Sequence, residues 1–241
     1  MKMLNVVITG ASSGLGRAMA IKFADEGHFV WNLDCVAPES ELGHEQWVEC
    51  YVQFEESVRM ALQNIPVIDV LINNAGINHI AWLEKETSAN FDHLIGVNAK
   101  SIFITAKECL EKLTTSKGTI LNIVSNASHM PMTTSLAYNA SKGAAHIMTQ
   151  QLARELTKKN GITVFGISPA KIEGTGMSDY IDKTVPAMRG WSEEKAHEYQ
   201  LNGLVAGKEI PAEAIANFVY YLLHKRENNF HLSGNILPYG A

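Results

Sequence analysis

Thr9-Gly10-Ala11-Ser12-Ser13-Gly14-Leu15-Gly16-Arg17 is the stretch on which the reading of this chain turns. A β-branched run, Leu4–Thr9, leads into it, and a helical pattern, Leu15–Glu26, leads out. Glycines let the main chain turn sharply and approach a phosphate closely. The helix that follows presents free N–H groups and the positive end of its dipole to an anion. The spacing is G-x-x-x-G-x-G, which differs from the G-x-G-x-x-G dinucleotide fingerprint and from a loop closing in Gly-Lys-Ser/Thr. Taken alone it also suits a purely structural tight turn.

The second strand, Phe29–Asp34, adds to the case. It ends in Asp34, 18 residues after Gly16, near the offset of about 20 at which an acid hydrogen-bonds an adenosine ribose. A carboxylate there accepts from the ribose hydroxyls of NAD and repels the 2′-phosphate of NADP; a solvated acid at a strand end is the plainer alternative. Arg17 is a candidate partner for such a phosphate, but spacing alone does not orient it.

Further strands are expected at Trp47–Val52, Val67–Asn73, Thr119–Ser125, Thr163–Ser168 and Asn235–Pro238. Helical patterns fall at Glu55–Asn64, Ser88–Leu113, Ala137–Lys159 and Ala212–His224, with Pro211 at a plausible first turn. Strands alternating with helices imply an α/β fold, a doubly wound, mostly parallel seven-stranded sheet covered by helices on both faces. No repeat or linker divides the chain, so residues 1–241 are read as one domain. The stretch Glu173–Gly207 lacks a clear pattern and reads as a lid or binding loop, or else as a helical excursion on the surface.

Composition narrows the function classes. A net charge of −5 gives no electrostatic case for nucleic acid or an anionic membrane. No run of about 18 uncharged apolar residues is present, and the apolar start, Val6–Ile8, is too short for a signal peptide and reads as a strand. Cys35, Cys50 and Cys109 form no disulfide or metal spacing, which favours a reducing, cytoplasmic setting. The nine histidines show no metal-binding arrangement, so no metal is expected.

Tyr138-Asn139-Ala140-Ser141-Lys142 sits inside a helical pattern, so Tyr138 and Lys142 project one turn apart from the same face. A free phenol titrates near pH ~10. A nearby cation lowers that value and makes the tyrosine a usable acid/base. Ser125 closes the strand Ile120–Ser125, 13 residues before Tyr138. A hydroxyl there faces the crevice beyond the carboxyl ends of the strands, placed to bond a substrate oxygen as charge develops.

With these pieces assembled, the chain resembles the short-chain dehydrogenase/reductase family, a one-domain Rossmann architecture, over essentially its whole length. The matching motifs run in order: Thr9-Gly10…Gly14-Leu15-Gly16, Asn73-Asn74-Ala75-Gly76, Asn98, Ser125, Tyr138 and Lys142. The resemblance implies that Tyr138 is the general acid/base, that Lys142 holds the nicotinamide ribose and lowers the tyrosine pKa, and that Ser125 orients the substrate carbonyl. Asn98 would anchor a water linking Lys142 to solvent. Gly10, Ser13, Gly14, Leu15 and Gly16 would form the dinucleotide turn, and Asn74, Ala75 and Gly76 would line the adenosine side. Beyond the sixth strand, Pro169 and the Ile172 backbone would lie by the nicotinamide, and Thr175 near its amide or the pyrophosphate. NAD is expected over NADP, because Asp34 closes the second strand and neither Ser13 nor Cys35 supplies a base. The substrate would be a small alcohol or carbonyl compound. A homo-oligomer, tetramer or dimer, would form through helices around Ala99–Leu113 and Ala137–Lys159.

Four features depart from the family pattern. Ala170 replaces a glycine after the proline, Tyr51 replaces an acid by the third strand, Tyr239 replaces an acid near the end, and Cys35–Gln46 is too short for a helix. His79 and His129 fall where substrate contacts would lie, though surface-loop histidine suits them better. Met130, Met132 and Trp191 are candidates for an apolar pocket wall; Arg189 and Lys171 are candidates to meet a substrate anion, or are solvated. The reading is an NAD(H)-dependent oxidoreductase of a secondary alcohol or carbonyl. The alternatives are an NADPH-linked carbonyl or 3-oxoacyl reductase, and a dinucleotide-binding sensor or scaffold without turnover.

Overall fold

The computed structural model describes residues 2–240; Met1 and Ala241, the ends of the span read as one domain, lie outside the described residues. In chain order the elements are β1 (Asn5–Thr9), α1 (Gly14–Asp25), β2 (Phe29–Asp34), β3 (Glu45–Glu49), α2 (Glu55–Leu62) and β4 (Val70–Asn73). They continue with α3 (Ser88–Ile95), α4 (Ser101–Glu108), α5 (Leu110–Ser116), β5 (Thr119–Ile123), α6 (Leu136–Asn160) and β6 (Thr163–Pro169). The chain then forms β7 (Ile172–Glu173), α7 (Gly176–Arg189), α8 (Glu193–Asn202), β8 (Ile210–Pro211), α9 (Ala212–Leu223) and β9 (Ile236–Tyr239).

Seven strands make one sheet in the order β3-β2-β1-β4-β5-β6-β9, and every pairing is parallel. The expected seven-stranded sheet is thus present and wholly parallel. β7 and β8 form a separate two-stranded ladder. The chain winds outward from β1 to β3, then returns to lay β4 on the other side of β1, which creates a crevice at the carboxyl ends of β1 and β4.

Alternation along each strand explains why both faces are covered. Val6 and Ile8 of β1 point into a core shared with Met19 and Phe23 of α1 and Val219 and Leu223 of α9. Val7, between them, points the other way, into a core with Leu71, Ile104, Leu113 and Ile120. Each such fully buried side chain contributes about 1.5–3 kcal/mol. Near the site end, a buried polar chain ties the layers: Thr105 Oγ1 donates to Asn73 Oδ1 (2.7 Å), Asn73 Nδ2 to Asn122 Oδ1 (2.8 Å), and Asn122 Nδ2 to Thr149 Oγ1 (2.9 Å).

Several boundaries differ from expectation. The third strand starts at Glu45 rather than Trp47, because Val30–Asp34 of β2 pairs in register with Glu45–Glu49. The single helical pattern Ser88–Leu113 is divided into α3, a π-turn at Gly96–Lys100, α4 and α5. The patternless stretch Glu173–Gly207 contains two helices, α7 and α8, each N-capped by a hydroxyl, Thr175 and Ser192. Pro211 caps α9 instead of opening it. No helix among the described residues is long and apolar enough to cross a membrane. Cys50 and Cys109 are buried and Cys35 is exposed; burial pushes the Cys109 thiol up to about 12.

Candidate active site

The glycine turn joins β1 to α1 at the crevice. Gly10 and Gly14 adopt left-handed conformations, φ 68° and 54°. Gly16 is fixed by contact rather than conformation: a Cβ there would stand 1.9 Å from the Gly10 carbonyl oxygen and 2.5 Å from Asn74 Nδ2. The helix therefore starts directly against the turn. Ser13 occupies the N-cap without a side-chain hydrogen bond, and no acid lies in the first turn of α1. The first N–H groups of the helix are left without an intrahelical acceptor, an arrangement suited to a phosphate. Leu15 is buried beneath. Thr175 faces this turn, its methyl 3.6 Å from where a Gly14 Cβ would be.

Asn74 and Ala75 brace rather than float. Both backbone N–H groups donate to Thr9 Oγ1 at 3.0 Å, and Asn74 Nδ2 donates to the carbonyls of Thr9 and Gly10. Gly76 then passes close to the catalytic candidates; a Cβ on it would be 3.5 Å from Asn98 Oδ1 and 3.6 Å from Lys142 Nζ.

Asp34 ends β2 beside the turn. Its Oδ2 accepts from Ser12 N (3.0 Å) and its Oδ1 from Val36 N (3.2 Å). Each oxygen retains a lone pair for a further donor. Arg17, whose direction spacing left open, turns toward β3: Nη1 lies 2.7 Å from both carboxylate oxygens of Glu45, and Nη2 donates to the Ser40 carbonyl.

Ser125, Tyr138, Lys142 and Asn98 are all buried and meet beyond the ends of β4 and β5. Ser125 Oγ accepts from Ala127 N (3.2 Å) and donates to Asn126 Oδ1 (3.3 Å). Burial raises the Tyr138 pKa, and the nearby Ser125 hydroxyl only partly offsets it. The expected lowering by Lys142 is therefore corrected for the chain by itself. Lys142 Nζ lies 6.0 Å from the centre of the Tyr138 ring and donates to the Ile123 carbonyl at 3.0 Å, and burial pulls this ammonium down to about 8. Asn98 sits in the π-turn, a form of helix frequent at functional sites. Its side chain bonds both the N–H and the carbonyl of Ile77 (2.8 and 2.9 Å) and donates to Ser141 Oγ (2.9 Å).

Pro169 is buried at the end of β6, and Ala170 N donates to the Tyr239 carbonyl (3.0 Å). Among described non-glycine residues only Lys117 and Thr134 have positive φ, so Ala170 needs none of a glycine's freedom. Ile172 is held in the β7–β8 ladder, and Lys171 is engaged by Asp182 and Glu209 (2.5 and 2.7 Å) rather than left to meet an anion. α7 covers the crevice: Met177 Sδ is 3.9 Å from the Tyr138 hydroxyl, and the Tyr180 hydroxyl accepts from Ile80 N (3.2 Å). Trp191 packs in the lid's own small core with Ile80 and Val185, and the Arg189 guanidinium lies 4.8 and 5.1 Å from the Trp191 and Tyr199 ring centres. His79 is tied to Glu86 (3.2 Å), while His129 and Met130 are exposed, so none of these three lies against Tyr138.

Two positioning residues escaped the sequence reading. Asn139 donates to the carbonyls of Ala127 and Met130 (2.6 and 2.8 Å), pinning the loop that carries Ser125 to α6. Met177 was visible only as one apolar residue of the patternless stretch. Asn139 lies inside the Tyr-x-x-x-Lys span and carried a local signal; Met177 carried none.

A family model described as short chain dehydrogenase matches residues 4–186. Over 246 residues the chain is 30% identical to the 3-oxoacyl-acyl-carrier-protein reductase FabG of Thermotoga maritima, covering 96% of this chain and 94% of that one. It is 31% identical to the 3-phenylpropionate-dihydrodiol/cinnamic acid-dihydrodiol dehydrogenase of Escherichia coli, covering 95% and 89%. The structure of a short chain dehydrogenase family protein from Francisella tularensis superposes with a TM-score of 0.87 at 21% identity, covering 98% of this chain and 97% of that one, a likeness of fold.

Proposed function

Since the chain belongs to the short chain dehydrogenase family, an oxidoreductase of CH–OH groups using a nicotinamide dinucleotide, we propose that it is NAD(H)-dependent and acts on a secondary alcohol or its carbonyl counterpart. The observation that carries this reading is the buried meeting of Ser125, Tyr138, Lys142 and Asn98 beside the glycine turn. The residues fit the coenzyme. The uncapped N-terminus of α1 suits its pyrophosphate, with Gly10, Ser13, Gly14, Leu15 and Gly16 making the turn and Thr175 facing it. Asp34 suits the ribose hydroxyls, with Asn74, Ala75 and Gly76 alongside, while Pro169 and Ile172 lie toward the nicotinamide end.

When bound, the coenzyme supplies or accepts the hydride. Tyr138 moves the proton at the substrate oxygen, and Ser125 Oγ bonds that oxygen as its charge changes. Lys142, held near neutrality by burial, hands protons onward at the Gly76–Asn98 side and holds the coenzyme's ribose. Met177 and α7 exclude water from the phenol. Oxidation of the alcohol is favoured, since NAD use accompanies catabolic oxidation. Residues 1–241 act as one domain in a reducing, cytoplasmic setting, in keeping with the exposed free thiol of Cys35. Copies associate as a dimer or tetramer through α4 and α6, where Phe103 and Ile147 are exposed.

A second reading, an NADPH-linked 3-oxoacyl or carbonyl reductase, is favoured by the identity with the Thermotoga reductase. Titration of the purified chain with NADH and with NADPH, followed by nicotinamide fluorescence, decides between them. Tighter binding of NADH supports the first reading; tighter NADPH supports the second; binding of neither overturns both.

A further inference from the structure

Arg17 is a cation in the first turn of α1, next to the glycine turn that Asp34 braces, and it is already engaged. Its partner Glu45 has a side chain only 1% exposed, and the Arg17 side chain is 13% exposed. Besides the two contacts from Arg17 Nη1, Glu45 accepts from Asn32 Nδ2 (3.0 Å) and Leu42 N (3.3 Å), so its carboxylate has no freedom to swing away. The pair is continuous with the ribose end of the crevice. The same Asn32 Nδ2 donates to Ser12 Oγ (3.1 Å), and Ser12 N donates to Asp34 (3.0 Å). Glu45 thus stands two hydrogen bonds from Ser12 in the glycine turn and three from Asp34.

We propose that Glu45 is a coenzyme-specificity residue that acts at a distance, by withdrawing Arg17 from the dinucleotide. The idea rests on the coenzyme reading above and adds to it. Asp34 repels a 2′-phosphate directly; Glu45 removes the cation that would answer it. Stripping one partner from a buried ion pair loses more than a single new charge-assisted bond at a crevice returns. NADP therefore cannot recruit Arg17 while Glu45 is ionised. In Glu45→Gln the amide keeps the shape and an acceptor for Asn32, but the guanidinium loses its counter-charge.

The test is fluorescence titration of the full chain with NADH and NADPH in four forms: native, Glu45→Gln, Glu45→Gln/Arg17→Met, and Asp34→Ser. In Glu45→Gln, folded by far-ultraviolet circular dichroism, the ratio Kd(NADPH)/Kd(NADH) falls by about tenfold or more, the size of one charge-assisted hydrogen bond. Adding Arg17→Met reverses that fall. A smaller change in the single variant, or a fall that survives loss of Arg17, overturns the proposal. Asp34→Ser keeps the proposal testable if Glu45→Gln does not fold. With the pair intact, removing the acid improves NADPH affinity less than about tenfold, and an improvement of tenfold or more overturns the role of Glu45. Binding of neither dinucleotide by the native chain overturns the coenzyme reading itself, whereas NADH binding with an unmoved ratio in Glu45→Gln overturns only the inference about Glu45.

Discussion

Replacing Lys142 by methionine should make the folded chain more stable near neutral pH. Lys142 is 4% exposed, and the Ile123 carbonyl at 3.0 Å is its hydrogen-bond partner among the described residues. Burial takes it from 10.5 to about 8. Below about 8 both folded and unfolded chains carry the proton, and the folded state bears the full penalty of a buried charge, about 3 kcal/mol at 1.36 kcal/mol per unit. Between about 8 and 10.5 the unfolded chain binds more protons, so native stability climbs with pH. Above that window the penalty is gone. Methionine fills similar space without charge but leaves the Ile123 carbonyl without its donor, a loss of about 1 kcal/mol. The net gain at pH 7 is about 2 kcal/mol, or about 4–8 °C in Tm for a chain of this length. Urea denaturation of the coenzyme-free proteins at pH 7 and pH 10 measures it. The advantage of the variant should shrink with rising pH and reverse past the window. A methionine variant less stable than native at pH 7, or a gap that pH does not narrow, refutes the reasoning. Since the same lysine is assigned to proton transfer, the variant should be stable and inactive, as strained functional sites often are when relieved.

Tyr138→Phe should lower turnover of any alcohol substrate by about 10²–10⁴-fold with NADH affinity kept within a few-fold, seen by pairing steady-state rates with coenzyme titration. Gly16→Ala should destabilise the chain by about 3 kcal/mol or more, because its methyl meets the Gly10 carbonyl, which is backbone and cannot step aside. Gly43→Ala, where nothing lies within 4 Å, should be neutral or gain about 0.5 kcal/mol in the same melting assay. Thr134 holds φ at 68°, a poor conformation for a β-branched residue. Thr134→Asn should therefore raise Tm, gaining about 1 kcal/mol, and a fall in Tm would contradict this.

What could be read from the chain was whatever depends on neighbours in sequence. The Gly10–Gly16 turn, the strand ending in Asp34 and the Tyr138–Lys142 helix face each span a few residues with fixed periodicity, and all three sit where the spacing puts them. The direction of Arg17 was not legible, because its partner lies 28 residues away on a strand whose register is set by β2. The π-turn carrying Asn98 was hidden inside a continuous helical pattern, since it spans five residues between two helices and contains neither proline nor a turn dipeptide to mark it. In Glu173–Gly207, α8 exposes most of its length with Ala196 alone fully buried, and α7 carries Pro186 inside, so the apolar pattern of the stretch is interrupted. Their order comes from packing on Ile80 and from the Lys171 ion pairs, contacts across the fold. The raised pKa of Tyr138 follows from burial, which spacing does not report.

The two rims of the sheet bear on how copies of the chain can meet. β3 is bounded only by β2, and it carries Glu45 and Glu49 at its ends, with Glu45 pulled inward by Arg17. β9 is bounded only by β6, and Pro238 in its middle has no N–H to offer. A charged, short outer strand on one rim and a proline on the other deny a foreign strand its ladder. The sheet therefore terminates itself. Growth by strand addition, the route to fibres and swapped sheets, is disfavoured on both sides.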